Sequence, residues 1–313
     1  QSYDGLDITP AKVLNISNTN GGSSGSQLRQ FDRFVQLNDM VACTSHSSLS
    51  EGNWTTSGMS YNSIVVDQTY VNTDAFDGAE INDHGSPRFK PDIIAQQKLY
   101  ASSFATPTVC SAAAMMLERI TVDPSLSNAW NSVVMKAILM AGATRFNYKA
   151  STEWGEGISQ VNLPIFTQGE WIRVSDDQPT SEKYGAGSLN ILSSYNILDA
   201  GEFNPSATNP VANLGWDYED AIEENQTNIY TFNITTASMF SAVLNWHRII
   251  DDDLNSYLAD YSIKVFDAND TIVATSDNLT SNIELIEVKL GAGNYRMEIL
   301  AKDNGGAPLL SYG

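Results

Sequence analysis

At 313 residues the chain can hold one large domain or two ordinary ones, and 42% hydrophobic, 10% aromatic and 17% charged residues mark a folded protein. Acidic residues outnumber basic ones 37 to 17, a formal charge of −20, which argues against nucleic acid or an anionic membrane as partner. No apolar run approaches the roughly 18 residues needed to span a bilayer, so no membrane span is expected.

Residue 1 is Gln rather than Met, and no secretory signal opens the chain, so a processed or truncated N-terminus is expected. Acidity and sparse cysteine suit a secreted or extracellular protein. The first elements in order are "KVLNIS" (12 to 17), an apolar run suited to a buried parallel strand, and "SQLRQFDRFVQ" (26 to 36), with Leu28, Phe31, Phe34 and Val35 at helical spacing. "DMVACT" (39 to 44) and "YNSIVVD" (61 to 67) are two more buried strands. Strand, helix, strand in that order implies a right-handed crossover in a parallel sheet, hence an α/β fold. Helices follow at 103 to 119 and about 130 to 142, the second stopping at Gly142. "YGAGSLNILSSYNILDAGE" (184 to 202) ends in a short amphipathic helix, and "FNPSATNPVANLG" reads as a linker. Cys43 and Cys110 sit among apolar or small residues, as buried free thiols do. Six N-x-S/T sequons, at Asn15, Asn53, Asn225, Asn233, Asn269 and Asn278, are incidental in a chain so rich in Asn, Ser and Thr.

From Asn228 the pattern turns to period two. "IYTFNIT", "FSAVLNWHRI", "DYSIKVFD", "TIVATS", "IELIEVKL" and "NYRMEILA" are short strands separated by Asp, Asn and Gly turns. That spacing predicts an antiparallel β-sandwich over 205–313, after an α/β domain over 1–204. Trp246 and Tyr261 alternate with polar neighbours and read as core rather than as a sugar-binding platform. Asp251, Asp252 and Asp253 could hold a structural Ca²⁺, or could simply form a solvated turn; no other cofactor is called for.

The chemistry concentrates in "ASSFATPTVCSAAAMML" (101 to 117). A serine in the first turn of a helix meets unpaired N–H groups and the positive dipole end, which favour an attacking alkoxide or an oxyanion. Serine there is also an ordinary helix cap, and the residues alone leave both readings open. Pro107 falls early in the helix, where the missing N–H is expected to cost little.

"PRFKPDIIAQQ" (87 to 97) followed by "ASSFATPTV" resembles the subtilisin-like serine peptidases, in which K-P-D-I-x-A-P leads to G-T-S-x-A-T-P. The earlier "VLNIS" and "VACTS" and the later "VVMKAILMAGA" and "YGAGSLNILSSY" resemble further segments of that family in its order, so the resemblance spans about residues 12 to 200. It implies a subtilisin-like parallel sheet, Ser103 as nucleophile, a peptide or protein substrate, and Ser17 and Asn18 lining the substrate groove. The family's oxyanion Asn, in A-G-N, corresponds to "TSHSS", which places His46 at or beside that position, as donor or as a plain loop histidine. The departures are Ala101 and Ser102 for Gly-Thr, and the absence of the D-[ST]-G and H-G-T-H segments that the family carries upstream. None of the three histidines, His46, His84 and His247, fits the general base, so this chain by itself is expected to lack the base that would activate Ser103.

"GWDYEDAIEENQTNIYTFNI" with "SAVLNWHRIIDDD" and "GAGNYRMEIL" resembles the β-sandwich appended to many secreted bacterial peptidases. Together these features imply a secreted subtilisin-like serine endopeptidase carrying its nucleophile, with the triad's Asp and His supplied by an upstream segment absent from this sequence. The alternatives are a catalytically inactive subtilase fold that binds or builds at the cell surface, and an adhesin led by the sandwich.

Overall fold

The computed structural model describes residues 11–17, 25–46, 57–68, 90–96, 101–145, 180–181, 184–306 and 310–313. Asn18 and His84 lie outside the described residues. In the first half, β1 (Val13–Ile16), α1 (Gly25–Asn38), β2 (Val41–Ser45), β3 (Ile64–Gln68) and β4 (Ile93–Ala95) precede α2 (Ser102–Val122), α3 (Ser132–Ala141) and α4 (Ile191–Ala200). The four strands make one parallel sheet in the order β1-β2-β3-β4. Uninterrupted apolar runs such as "IVV" belong in a parallel sheet covered on both faces, and β2, β3 and β4 are buried throughout. β1 departs from the buried strand expected of it: it flanks the sheet and stays half-buried, with Asn15 exposed.

Alternation along β2 divides the core. Val41 and Cys43 join α2, through Ala105, Val109, Ala112, Ala113 and Met116, while Ala42 joins Phe31, Phe34 and Val35 of α1. Alanines on the inner side of α2 bring the helix close to the sheet and hold its N-terminus at the carboxyl ends of the strands. Cys43 and Cys110 are free and buried there. α2 runs unbroken through Pro107, which is too deep for its missing N–H to be one of the unpaired first-turn donors; it forgoes the bond an α-helix would make to the Ser103 carbonyl. Gly142, expected as a helix stop, does end α3, but in right-handed conformation (φ −74°). Its hydrogen side chain is required by proximity: a Cβ would meet Ser194 of α4 at 2.4–2.8 Å.

The second half is antiparallel. It contains β5 (Glu219–Ile222), β6 (Thr227–Ile234), β7 (Ser238–Asn245), the short pair β8 (Ile249–Ile250) and β9 (Ser256–Tyr257), then β10 (Asp260–Asp267), β11 (Ile272–Ser276), β12 (Ile283–Leu290), β13 (Gly293–Asp303) and β14 (Leu310–Tyr312). They form a four-stranded sheet, β11-β10-β13-β6, and the pairs β12-β7, β14-β5 and β8-β9. Trp246 and Tyr261 are wholly buried with ring centroids 4.9 Å apart, as their alternation with polar neighbours predicts. The six period-two segments read from the sequence all carry strands here. Asp251 spends its carboxylate on the backbone N–H of Asp253 and Asn255 and on the side chains of Asn255 and Tyr257, while Asp252 pairs with Arg33. Among the described residues no group of three or more His, Cys, Asp or Glu is arranged to hold a metal.

The stretch read as a linker is tied down. Phe203 N–H bonds the Trp216 carbonyl at 2.8 Å, Trp216 Nε1 bonds the Leu198 carbonyl at 3.0 Å, and Ser206 and Val211 bond β6 at 2.6 and 2.8 Å. Ile283 and Leu285 of β12 belong to the same hydrophobic cluster as α2 and α3. The two halves also share a buried ion pair, Asp32 of α1 with Arg248 at 2.5 Å, and Asn62 Nδ2 donates to the Arg248 carbonyl at 2.8 Å.

Within the antiparallel half, Glu284 of β12 is fully buried, and burial pushes its carboxyl up to about 8, against hydrogen bonds from Ser276 Oγ and Asn278 N–H that pull it down. Because the folded value lies above the unfolded one, this group's contribution is complete below the ordinary carboxylate range and is lost as pH rises through about 8. Stability is therefore expected to fall with rising pH by up to about 1.4 kcal/mol per unit between roughly pH 5 and 8. Glu284→Gln should flatten that slope relative to the wild type, as urea midpoints at three pH values would report.

Candidate functional site

The carboxyl ends of parallel strands gather on one edge, and three of the residues singled out from the sequence reach it. Ser17 follows the end of β1, half-buried, its Oγ donating to Asn15 Oδ1 at 3.0 Å. His46 follows the end of β2, with its N–H bonded to the Val66 carbonyl of β3 at 2.8 Å. Ser103 is the second residue of α2, half-buried, in the first turn as its motif predicts. In open parallel sheets this edge, next to a helix N-terminus, is where ligands and reacting groups collect.

The first turn of α2 begins at Ala101, an extended residue whose side chain caps nothing. Phe104 N–H reaches back to the Ala101 carbonyl at 3.0 Å, while the preceding turn-one N–H groups have no acceptor within the helix. Ser102 is buried and its Oγ donates to the main-chain carbonyl of His46, so a side-chain hydrogen bond ties the helix mouth to the end of β2. Thr106 Oγ1 donates to the Ser102 carbonyl at 2.8 Å and steadies the same turn.

His46 has a partner the sequence reading did not foresee. Its Nδ1 lies 3.1 Å from Asp67 Oδ2, and both side chains are under one-tenth exposed. Asp67 is on β3, and the β2-β3 register, Ser45 opposite Val66, carries His46 and Asp67 to neighbouring positions. The second Asp67 oxygen accepts the Gln68 N–H at 2.7 Å. The only hint in the sequence was an aspartate closing the apolar run "IVVD"; the pairing appears once the strands are in register. No hydrogen bond among the described residues joins His46 to Ser103.

Below this edge, Asp92 of the "KPD" segment is buried between Lys90 at 2.6 Å and Lys136 at 3.2 Å and accepts the Val65 N–H at 2.8 Å. Burial alone would raise its carboxyl, but the two ammonium groups and the hydrogen bonds outweigh it and hold the value below the usual range. The cluster anchors β3, β4 and α3 together behind the site.

His247 is remote. Its Nε2 lies 2.9 Å from Ser132 Oγ, which donates to Asp39 Oδ1 at 2.8 Å. Asp39 precedes β2 whereas His46 follows it, so His247 sits at the opposite end of the strand, roughly 15–20 Å away. Burial depresses its ring to about 4 and keeps it neutral. A cavity of about 480 Å³ also lies elsewhere, between α3 and the antiparallel strands, lined by Trp216, Phe232, Phe240 and Met297. None of Ser103, His46 or Asp67 borders it. The chemistry-bearing side chains, rather than this cavity, define the candidate site.

No family model matches the chain, and no curated protein matches it. Among solved structures, it is similar to the patellamide maturation protease PatA, at 14% identity and TM-score 0.38 over 61% of this chain and 64% of that one. It is similar to the prenylagaramide maturation protease PagA at 17% identity and TM-score 0.37, over 59% of this chain and 62% of that one. It thus spans somewhat less than two thirds of either protease. The pre-peptidase C-terminal domain of a Bacillus anthracis collagenase is similar to 30% of this chain, at 16% identity and TM-score 0.24 over 80% of that domain.

Proposed function

We propose that this chain is a secreted subtilisin-like serine endopeptidase acting on peptide or protein substrates, with Ser103 as its nucleophile and residues 205–313 as an accompanying β-sandwich. The observation that carries this reading is the position of Ser103: half-buried in the uncapped first turn of α2, at the carboxyl edge of a parallel sheet. The helix dipole and unpaired first-turn N–H groups favour negative charge where an acyl intermediate would carry it. The "KPDIIAQQ" and "ASSFATP" segments that resemble the subtilisin-like peptidases supply β4 and this helix mouth. Ser17 borders the same edge and would help line a groove for extended substrate.

A second reading is a catalytically inactive module of the same fold, which binds rather than cleaves. It is favoured by one observation: among the described residues, Ser103 has no hydrogen bond to a histidine. Incubation with casein separates the two. Release of peptides, blocked by a serine-directed fluorophosphonate, is the result expected of the peptidase; no release by folded chain, with subtilisin cleaving alongside, is the result expected of the binding module.

A further inference from the structure

We infer that the cavity between α3 and the antiparallel strands is a second binding site, which takes a small apolar molecule carrying one protonated amine, with Asp217 as the partner of the ammonium. At about 480 Å³ it lies within the roughly 300–1,000 Å³ range of small-molecule pockets. Its place follows from the topology. β6 is the end strand of the four-stranded sheet and β7 belongs to the β12-β7 pair, so the corner at 235–237 carries the chain from one sheet to the other. Both strands bring apolar residues to the gap, Phe232 and Ile234 from β6 and Phe240 and Leu244 from β7. Between Phe240 and Leu244 the same face of β7 carries only Ala242, half-buried and too small to fill the space. Leu214 and Met239 also line the cavity and are solvent-exposed, so the hollow opens to solvent on that side.

The hydrogen-bond relay on its wall favours a ligand that donates. Tyr230 Oη donates to Asp217 Oδ2 at 2.5 Å, and the Tyr312 hydroxyl lies 2.9 Å from Tyr230 Oη. With the Tyr230 proton committed to Asp217, Tyr312 must donate to Tyr230, and Asn228 Nδ2 in turn donates to Tyr312 at 2.7 Å. Every proton of the relay points toward Asp217, and neither phenol keeps one for an anionic ligand. Among the described residues no Lys, Arg or His lines the cavity, and Asp217 is its one charged side chain. Burial pushes the Asp217 carboxyl up to about 6; Tyr230 and the Tyr218 backbone pull it down, while Glu202 and Glu219 add to the rise. An ammonium beside Asp217 offsets both the burial and the repulsion among these carboxylates, whereas a carboxylate ligand would add to them. None of Ser103, His46 or Asp67 borders the cavity, so the inference stands apart from the peptidase reading.

Decylamine, 1-decanol and decanoate share one hydrocarbon chain and differ in head group. Calorimetric titration of the full chain with each, in about 0.15 M salt to screen its charge of −20, reads the head-group preference. At about pH 8 decylamine should bind one-to-one and at least about tenfold tighter than the other two. Asp217→Asn, which conserves shape, should cut that preference to about threefold or less. Wild-type affinity for decylamine should weaken as pH falls through about 6, because Asp217 takes up a proton while the amine stays charged. Ala242→Phe and Ala242→Trp fill the hollow and should each weaken decylamine binding at least about tenfold. Thermal unfolding identifies the folded variants; either suffices, and Asp217→Asn carries the test if neither folds. Three results would overturn the assignment: no saturable binding of decylamine to the wild type, decanol or decanoate binding as tightly, or a preference for the amine that survives Asp217→Asn. Unaltered decylamine binding in a folded Ala242 variant would do the same.

Discussion

Ser103→Ala is expected to lower peptide turnover by about 10³–10⁶-fold while leaving the fold intact. The substitution removes one oxygen from a half-buried side chain, and the core contacts of α2 come from Ala105, Val109, Ala112, Ala113 and Met116. The neighbouring hydroxyl cannot take over, because Ser102 Oγ is committed to the His46 carbonyl and is buried. Urea unfolding should therefore stay within about 0.5 kcal/mol of the wild type, the usual range for a change away from packed or paired groups. Comparing initial rates on one peptide substrate checks the claim. Residual turnover above about one-hundredth of the wild-type rate would assign the chemistry to another group.

Asp32→Ala should cost about 3–5 kcal/mol of stability. Asp32 is completely buried and gathers four donors: Arg248 Nη2 at 2.5 Å, the N–H groups of Tyr61 and Asn62 at 3.3 and 3.2 Å, and Ser60 Oγ. Arg248 is equally buried and lies over the Tyr61 ring at 4.2 Å, so removing Asp32 takes a balancing carboxylate from a guanidinium held in low dielectric. The pair bridges α1 and the turn before β8, so the loss should fall on both halves together as one lowered transition. Arg248→Met should cost a comparable amount, and the double variant less than the sum, because the two side chains interact directly. Urea midpoints of the three variants measure this; a cost below about 1 kcal/mol for Asp32→Ala would mean that the ion pair does not hold the halves together.

Local pattern carried much of this molecule. Apolar runs became β2 and β3, the helical spacing of Leu28, Phe31, Phe34 and Val35 became the buried side of α1, and the alanine-rich run after Ser103 became α2. Period two gave the antiparallel strands. What the residues could not disclose was assembly. β1 has the composition of a buried strand, and its place at the edge of the described sheet, paired there with β2, goes with its being half-covered. Asn, Pro and small residues at 203–215 look like linker, yet the Ser206 and Val211 N–H groups bond β6, and the indole of Trp216 just after them bonds α4. Gly142 was legible as the end of a helix, and the structure adds that it is a point of close helix contact.

The site divides in the same way. The position of Ser103 was legible because helix-mouth chemistry is local to a few residues. His46 was legible as a position, but its pairing with Asp67 was not, because only the parallel register of β2 and β3 brings the two together. Ser102 was read as a mild departure from the family's pattern; its hydroxyl turns out to tie α2 to β2.

The most direct test of Ser103 as nucleophile is covalent. Folded wild-type chain is treated with a fluorophosphonate probe, digested, and the labelled peptide sequenced by mass spectrometry. A single adduct on Ser103, absent from Ser103→Ala, is the result predicted. An adduct on another residue, or none while subtilisin reacts alongside, would contradict it.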